Sequence, residues 1–188
     1  MTTKTILWNT ESLTEALGCD IPKGLKITGV SIDSRTIKKG HLFVAIRGEK
    51  FNGNEFAADA VKKGAVACII DELHESSKKL KGQLIQVENS FEALRKLAAY
   101  SRSRVKGKIV GITGSVGKTS TKEMLKIALE HQGNIHASEG NYNNHFGLPL
   151  SLANMPEDTD YGIFEMGMTG RGEISNLSKL ARPNIAII

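Results

Sequence analysis

Cysteine, aromatic residues and long apolar runs are scarce in this 188-residue chain, and each scarcity removes a class of protein. Two cysteines, Cys19 and Cys68, form neither a disulfide framework nor a CxxC motif, so an extracellular cystine scaffold and a thiol-based metal or redox site are both disfavoured. Cys68 lies inside AVACII, Ala65 to Ile70, where a small buried apolar residue is its expected role. No apolar stretch approaches the about 18 residues of a membrane helix. The start, MTTKTILWNT, lacks the basic-then-apolar order of a leader. Aromatic residues make up 5% of the chain, which leaves few platforms for stacking single-stranded bases. The charge balance, 25 basic against 20 acidic side chains for a net +5, suits an anionic small molecule at least as well as nucleic acid. A reduced, cytoplasmic, soluble protein is expected, with no nucleic-acid partner and no integral membrane segment. Its length allows one large domain or two small ones.

The most informative stretch is KIVGITGSVGKTSTKEM, Lys108 to Met124. An apolar run enters a glycine-rich turn, and a helical pattern opens at Lys118, the order of a strand, a phosphate loop and a helix. Gly114 and Gly117 let backbone N–H groups converge on an anion, with Thr113, Ser115 and Val116 completing the loop, and the helix amino end adds a favourable dipole. Lys118 is placed to neutralise phosphate charge, and the Thr119 hydroxyl to ligate Mg²⁺. The strict G-x-x-x-x-G-K-[ST] spacing asks for glycine where this chain has Ile112, flanked by Gly111 and Gly114, so the loop is a variant. No N-K-x-D guanine signature accompanies it.

Downstream, Met124, Leu125, Ala128 and Leu129 suggest the core face of the helix. SEGNYNNHFG, Ser138 to Gly147, offers amides such as Asn141 and Asn144 that either bind phosphate oxygens or stabilise a local turn. His145 reads equally as a site residue or a surface one. The strand Tyr161 to Phe164 delivers Glu165 at its carboxyl end, where open α/β sheets place ligands and a carboxylate can hold Mg²⁺. Strands and helices alternate from Lys108 onward, which predicts a parallel sheet with helices on both faces.

Upstream, the pattern predicts a small mixed α/β unit: helices near Ser12–Leu17, Asn54–Lys63 and Phe91–Ser103, and strands at Ile27–Ile32, Leu42–Ile46, Ala65–Ile70 and Leu84–Val87. Ser34 and Arg35 follow one strand. RGEKFNG, Arg47 to Gly53, follows another and reads either as a ligand loop, with Gly48, Phe51, Asn52 and Gly53, or as a solvated connection. The basic stretch RSRVKGK, Arg102 to Lys108, marks a boundary near Lys106, giving domains 1–106 and 107–188.

Three blocks together resemble the Mur ligase family, ATP-dependent amide-forming enzymes of peptidoglycan synthesis: GITGSVGKT (Gly111 to Thr119), GNYNN with GLPL (Gly140 to Asn144, Gly147 to Leu150), and EMGMTGRGEI (Glu165 to Ile174). They are most similar to the branch that joins D-alanyl-D-alanine to a UDP-N-acetylmuramoyl-tripeptide. DSRTIKKGHLFVAIRGEKFNGNEFAADAVKKGA, Asp33 to Ala65, resembles the uridine-nucleotide-binding domain which that branch shares with MurE. The resemblance implies ATP and Mg²⁺ as cofactors and an acyl phosphate intermediate. It further implies Lys118 and Glu165 as catalytic residues, and a monomeric parent. It also implies a truncated central domain, the family's metal-binding histidine and third domain falling beyond Ile188, so that residues 1–188 alone are expected to be inactive. Another ligase of the superfamily, MurE or a folylpolyglutamate synthase, and a non-catalytic nucleotide-binding module are the alternatives.

Overall fold

Asn9 sets the first helix. Its side chain accepts from the Ser12 N–H at 2.8 Å while the Ser12 hydroxyl accepts from the Asn9 N–H at 3.0 Å, a reciprocal cap that starts α1 (Thr10–Leu17) two residues earlier than its apolar spacing suggests. Gly18, in the left-handed region, ends it. The computed structural model describes residues 5–48, 51–80, 82–140 and 142–188. The chain divides into two compact units, Met1–Leu97 and Ala98–Ile188.

In the first unit, β1 (Trp8–Asn9) pairs antiparallel with β2 (Lys26–Ile27). A separate parallel sheet follows the order β3 (Gly29–Ser31), β4 (His41–Val44), β5 (Ala67–Ile70), β6 (Leu84–Gln86). The single strand expected at 27–32 is therefore two, in different sheets, broken at Thr28, whose N–H turns to the Gly40 carbonyl. Helix α2 (Ala57–Lys62) covers one face of the parallel sheet, with Ala57 and Ala60 packed among Phe43, Ala45, Cys68 and Ile70.

Helix α3 (Ser90–Arg104) carries the chain from one unit to the next, and the division falls inside it. The sequence reading put the boundary near Lys106. Contacts divide the chain earlier because Ala98 and Val105 already belong to the second unit's core.

The second unit is a parallel sheet of β7 (Lys108–Ile112), β8 (Ile135–Ala137), β9 (Tyr161–Glu165) and β10 (Ile185–Ile187), in the order β10-β7-β9-β8. Helices α4 (Lys118–Leu129), α5 (Gly147–Ala153) and α6 (Glu173–Ala181) surround it. The alternation of strand side chains sorts them between the two faces. Ile109 and Phe164 pack with Leu148, Leu152 and Leu177, from α5 and α6; Val110, Ile112 and Ile163 pack with Leu125 and Leu129, from α4. Glu165, two residues after Ile163, shares the α4 side. Among the described residues no helix is long and apolar enough to cross a membrane.

Candidate functional site

The loop between β7 and α4 is built as the sequence predicts. Gly114 (φ 135°) and Gly117 (φ 83°) occupy conformations that other residues rarely adopt, and no side chain caps α4 at Gly117. The amino end of the helix therefore faces the loop, where an anion gains from its dipole. Ser115, Val116 and Thr119 are exposed, and Thr113 is tied by its N–H to the Ile187 carbonyl at 2.9 Å. Lys118 folds back across the loop and donates to the Gly114 carbonyl at 2.6 Å. Gly111, read from sequence as part of the variant loop, lies inside β7 instead. A Cβ there would stand 2.9 Å from the Met166 Cε, the movable end of that side chain, and 3.3 Å from Pro183, so the strand packs closely at this glycine.

Glu165 ends β9 beneath that loop and is 1% exposed. The Thr119 hydroxyl donates to its Oε2 at 3.1 Å, which joins the two residues proposed from sequence as metal ligands. Its Oε1 lies 3.2 Å from the Nζ of Lys122, itself 1% exposed, yet accepts no hydrogen bond. Distance makes this an ion pair, while poor alignment leaves the oxygen with acceptor capacity to spare. Lys122 also donates to the carbonyls of Ser138 at 2.9 Å and Gly140 at 3.3 Å, and lies 3.2 Å from Glu123. The Glu165 N–H donates to the Ser138 hydroxyl at 3.3 Å.

A buried carboxylate oxygen without a hydrogen bond, next to an exposed hydroxyl and a phosphate-type loop, fits a hard cation that takes oxygen ligands. Among the described residues no group of three or more His, Cys, Asp or Glu forms a closed metal cage. The donor set thus suits Mg²⁺, which keeps waters and shares phosphate oxygens, better than a metal held entirely by protein.

Sequence reasoning missed Lys122. The available signal was its spacing: 118, 122, 125 and 129 fall on one helical face, and Leu125 and Leu129 pack against the sheet from it. The expected face through Met124 and Ala128 is wrong, since Met124 is 70% exposed and Ala128 is exposed too.

In the 138–147 segment, Asn141 lies outside the described residues. Asn144 stabilises the turn into α5: its Oδ1 accepts from the Phe146 and Gly147 N–H groups at 3.1 and 2.8 Å, which is the local-turn role. The Asn143 carbonyl accepts from the Gly167 N–H at 2.7 Å, so the loop is latched beside the end of β9. His145 is exposed and packs on Phe146, ring centroids 4.1 Å apart.

In the first unit, the parallel pairing of β3, β4 and β5 brings Ser34, Arg35, Arg47, Gly48, residues 51–53 and Asp71 to the same end of one sheet. Arg35 is held on Asp33 by three side-chain contacts of 2.7 to 3.1 Å. Those hydrogen bonds hold the Asp33 carboxyl below its ordinary range. The Ser34 carbonyl accepts from Lys63 at 3.1 Å. Arg47 reaches Glu72 at 2.7 Å and Asp71 at 3.4 Å and forms a β-bridge with Asn52, while the Gly48 N–H donates to the Phe51 carbonyl at 2.9 Å. Glu49 and Lys50, in the same loop, lie outside the described residues. Phe51 is 71% exposed. Gly53 is forced by a close approach, because a Cβ would stand 2.5 Å from the Ile46 carbonyl oxygen.

The loop rests on a residue that the sequence reading passed over. Asn54 is fully buried, donates to Asn52 Oδ1 at 2.8 Å and Asp71 Oδ1 at 2.7 Å, and accepts from the Asp71 and Glu72 N–H groups. Burial pushes the Asp71 carboxyl up, but hydrogen bonds from Asn54, the Ser90 N–H and Arg47 outweigh it and leave Asp71 below its ordinary range.

Two family descriptions match the chain: the Mur ligase family catalytic domain over residues 26–102 and the Mur ligase middle domain over residues 112–188. The chain belongs to the Mur ligase family. It is 48% identical over 183 residues to the UDP-N-acetylmuramoyl-tripeptide–D-alanyl-D-alanine ligase of Rickettsia prowazekii, covering 97% of this chain and 40% of that one. A crystal structure of MurF from Acinetobacter baumannii superposes with a TM-score of 0.81 at 30% identity, covering 95% of this chain and 40% of the other. MurF ligase from Thermotoga maritima in complex with ADP superposes with a TM-score of 0.67 at 34% identity, over 82% of this chain and 35% of that one. The chain thus spans about 40% of the length of the Mur ligases it matches. The mixed α/β units with parallel sheets are the Mur ligase fold, as in MurF.

Proposed function

We propose that this chain carries the uridine-nucleotide-binding and phosphate-binding parts of an ATP-dependent ligase that joins D-alanyl-D-alanine to a UDP-N-acetylmuramoyl-tripeptide in the cytoplasm. The observation that carries the reading is the 3.1 Å contact between Thr119 and the buried Glu165, directly under a glycine-shaped phosphate loop. The names of the related ligases supply the substrates.

In this reading the loop 113–117 and the amino end of α4 bind the nucleotide phosphates. Lys118 exchanges the Gly114 carbonyl for a phosphate oxygen and so neutralises charge where it develops. Thr119 and Glu165 would hold Mg²⁺, which when bound would supply positive charge to offset that of the phosphates. Asn141 and the amide nitrogen of Asn144 lie on the segment proposed to border the nucleotide. The uridine end of the substrate goes to residues 1–106, at Ser34, Arg35, Arg47, Gly48, Phe51, Asn52 and Gly53. The peptide carboxylate attacks the γ-phosphorus with loss of ADP, and the amine of D-alanyl-D-alanine then displaces phosphate from the acyl carbon and loses a proton. These residues act by alignment and charge neutralisation.

Incubating the whole ligase that carries this chain, rather than residues 1–188 alone, with ATP, Mg²⁺, UDP-N-acetylmuramoyl-tripeptide and D-alanyl-D-alanine tests this by mass spectrometry. The expected result is a product heavier by one D-alanyl-D-alanine less water, formed together with ADP and phosphate. Nucleotide binding with no ligated product would refute the ligase reading and leave a binding module. Incorporation of a single amino acid into a shorter precursor would move the assignment to a MurE-type reaction.

A further inference from the structure

Lys122 is the one buried lysine among the described residues, and its surroundings are unlike those of a stray charge. Four oxygens lie between 2.9 and 3.3 Å from its Nζ, and they come from three separate places: Glu123 on its own helix, the Ser138 and Gly140 carbonyls at the root of the amide-rich segment, and Glu165 at the end of β9. An ammonium has three hydrogens to give. Two go to the carbonyls, and the charge rests against the carboxylate proposed to ligate metal.

We propose that Lys122 is a positioning residue for the metal–nucleotide site: it holds the Glu165 carboxylate in line with Thr119 and ties the Ser138 and Gly140 carbonyls to the phosphate-loop helix. The inference rests on the proposal that Thr119 and Glu165 hold Mg²⁺ beside a nucleotide. Two effects of Lys122 on a metal oppose one another. Its positive charge repels a dication, so on Coulomb grounds alone its removal tightens metal binding. Its hydrogen bonds and ion pair fix the carboxylate and the loop root, so on positioning grounds its removal weakens binding. Partners that orient a metal's ligands commonly matter by about 10- to 100-fold in affinity. The arrangement favours the second effect. Without Lys122, Glu165 Oε1 has no polar contact left among the described residues, and the Ser138 and Gly140 carbonyls lose the one side chain that joins them to α4.

The test uses Mn²⁺ in place of Mg²⁺ and follows free Mn²⁺ by electron paramagnetic resonance with ADP present, in the intact protein and in Lys122→Met. Lys122→Met is expected to bind Mn²⁺ about 10- to 100-fold more weakly in the ternary complex, with affinity for metal-free ADP changed by less than about twofold. Mn²⁺ binding equal to or tighter than that of the unaltered protein would overturn the proposal while leaving the phosphate-loop reading intact. Failure of the unaltered protein to bind Mn²⁺ with ADP would overturn both. Should Lys122→Met not fold, the unaltered protein labelled with ¹⁵N-lysine answers the question. A buried, hydrogen-bonded ammonium exchanges slowly and is observable, and Mg²⁺ added to the ADP complex is expected to shift its resonance. A resonance indifferent to Mg²⁺ would count against the proposal.

Discussion

Glu165→Gln leaves a buried ammonium facing a neutral amide, and Lys122→Met leaves a buried carboxylate with only the Thr119 hydroxyl and the Ser138-bound backbone beside it. Both side chains are 1% exposed, so neither orphan can turn to water. Removing one member of a buried pair costs about 3–5 kcal/mol, mostly because the other charge stays desolvated. The two losses are not equal. Lys122 keeps two carbonyls and the half-exposed Glu123, so Glu165→Gln belongs near the lower figure, about 3 kcal/mol, and Lys122→Met nearer the upper. The double variant Lys122→Met/Glu165→Gln buries no charge and is expected to be more stable than the sum of the singles implies, by about 2–3 kcal/mol. Urea unfolding of all four proteins, compared at a common slope, measures this coupling. It should survive about 1 M salt, because a buried pair is poorly screened. Additivity within about 0.5 kcal/mol would show that the two charges do not share a dry environment, and the reasoning about Lys122 would fall with it.

Asn54→Ala removes the post under the 47–53 loop, and a loss of about 1–3 kcal/mol is expected together with faster amide exchange at Gly48 and Gly53. Unchanged exchange at both glycines would mean that the loop does not rest on Asn54. Burial pushes the Cys68 thiol up to about 12, and its Sγ contacts the Ala57 carbonyl at 3.6 Å. Near neutral pH a thiol reagent should therefore modify the half-buried Cys19 in the folded protein and reach Cys68 only on unfolding. Equal rates for both would contradict the burial. The lowered Asp71 carboxyl contributes stability above its ordinary value of 3.8, which is lost as pH falls through the depressed folded value. Asp71→Asn should flatten the acid side of the stability profile, and an unchanged acid limb would remove Asp71 from that account.

The sequence made the strand–loop–helix at Lys108 to Leu129 legible because several local signals agree there: a near-continuous apolar run, two glycines needing positive φ and an uninterrupted helix. Glu165 was legible for the same reason, as the residue that ends an apolar strand. Lys122 was not, because a lysine on an amphipathic helix is ordinarily solvated, and only the tertiary placement of Ser138, Gly140 and Glu165 supplies the oxygens that let it turn inward. Misreading Lys122 rotated the expected core face toward Met124 and Ala128. The break of the 27–32 strand at Thr28 also depends on a distant partner, the Gly40 carbonyl, that no local pattern reveals. Asn144 could be read either as ligand or as stabiliser of a local turn, and its Oδ1 bonds to Phe146 and Gly147 are those of the turn.

The central claim is that the loop 113–117, Lys118, Thr119 and Glu165 form one metal–nucleotide site. Calorimetric titration of ATP into the intact protein, with and without Mg²⁺, and into Lys118→Ala tests it most directly. Lys118 is half-buried and, among the described residues, bonds only to the Gly114 carbonyl of its own loop, so its removal should leave the unfolding midpoint nearly unchanged. The expected result is Mg²⁺-dependent binding by the intact protein that is abolished in the folded Lys118→Ala variant. ATP affinity in that variant equal to the unaltered protein's would contradict the site.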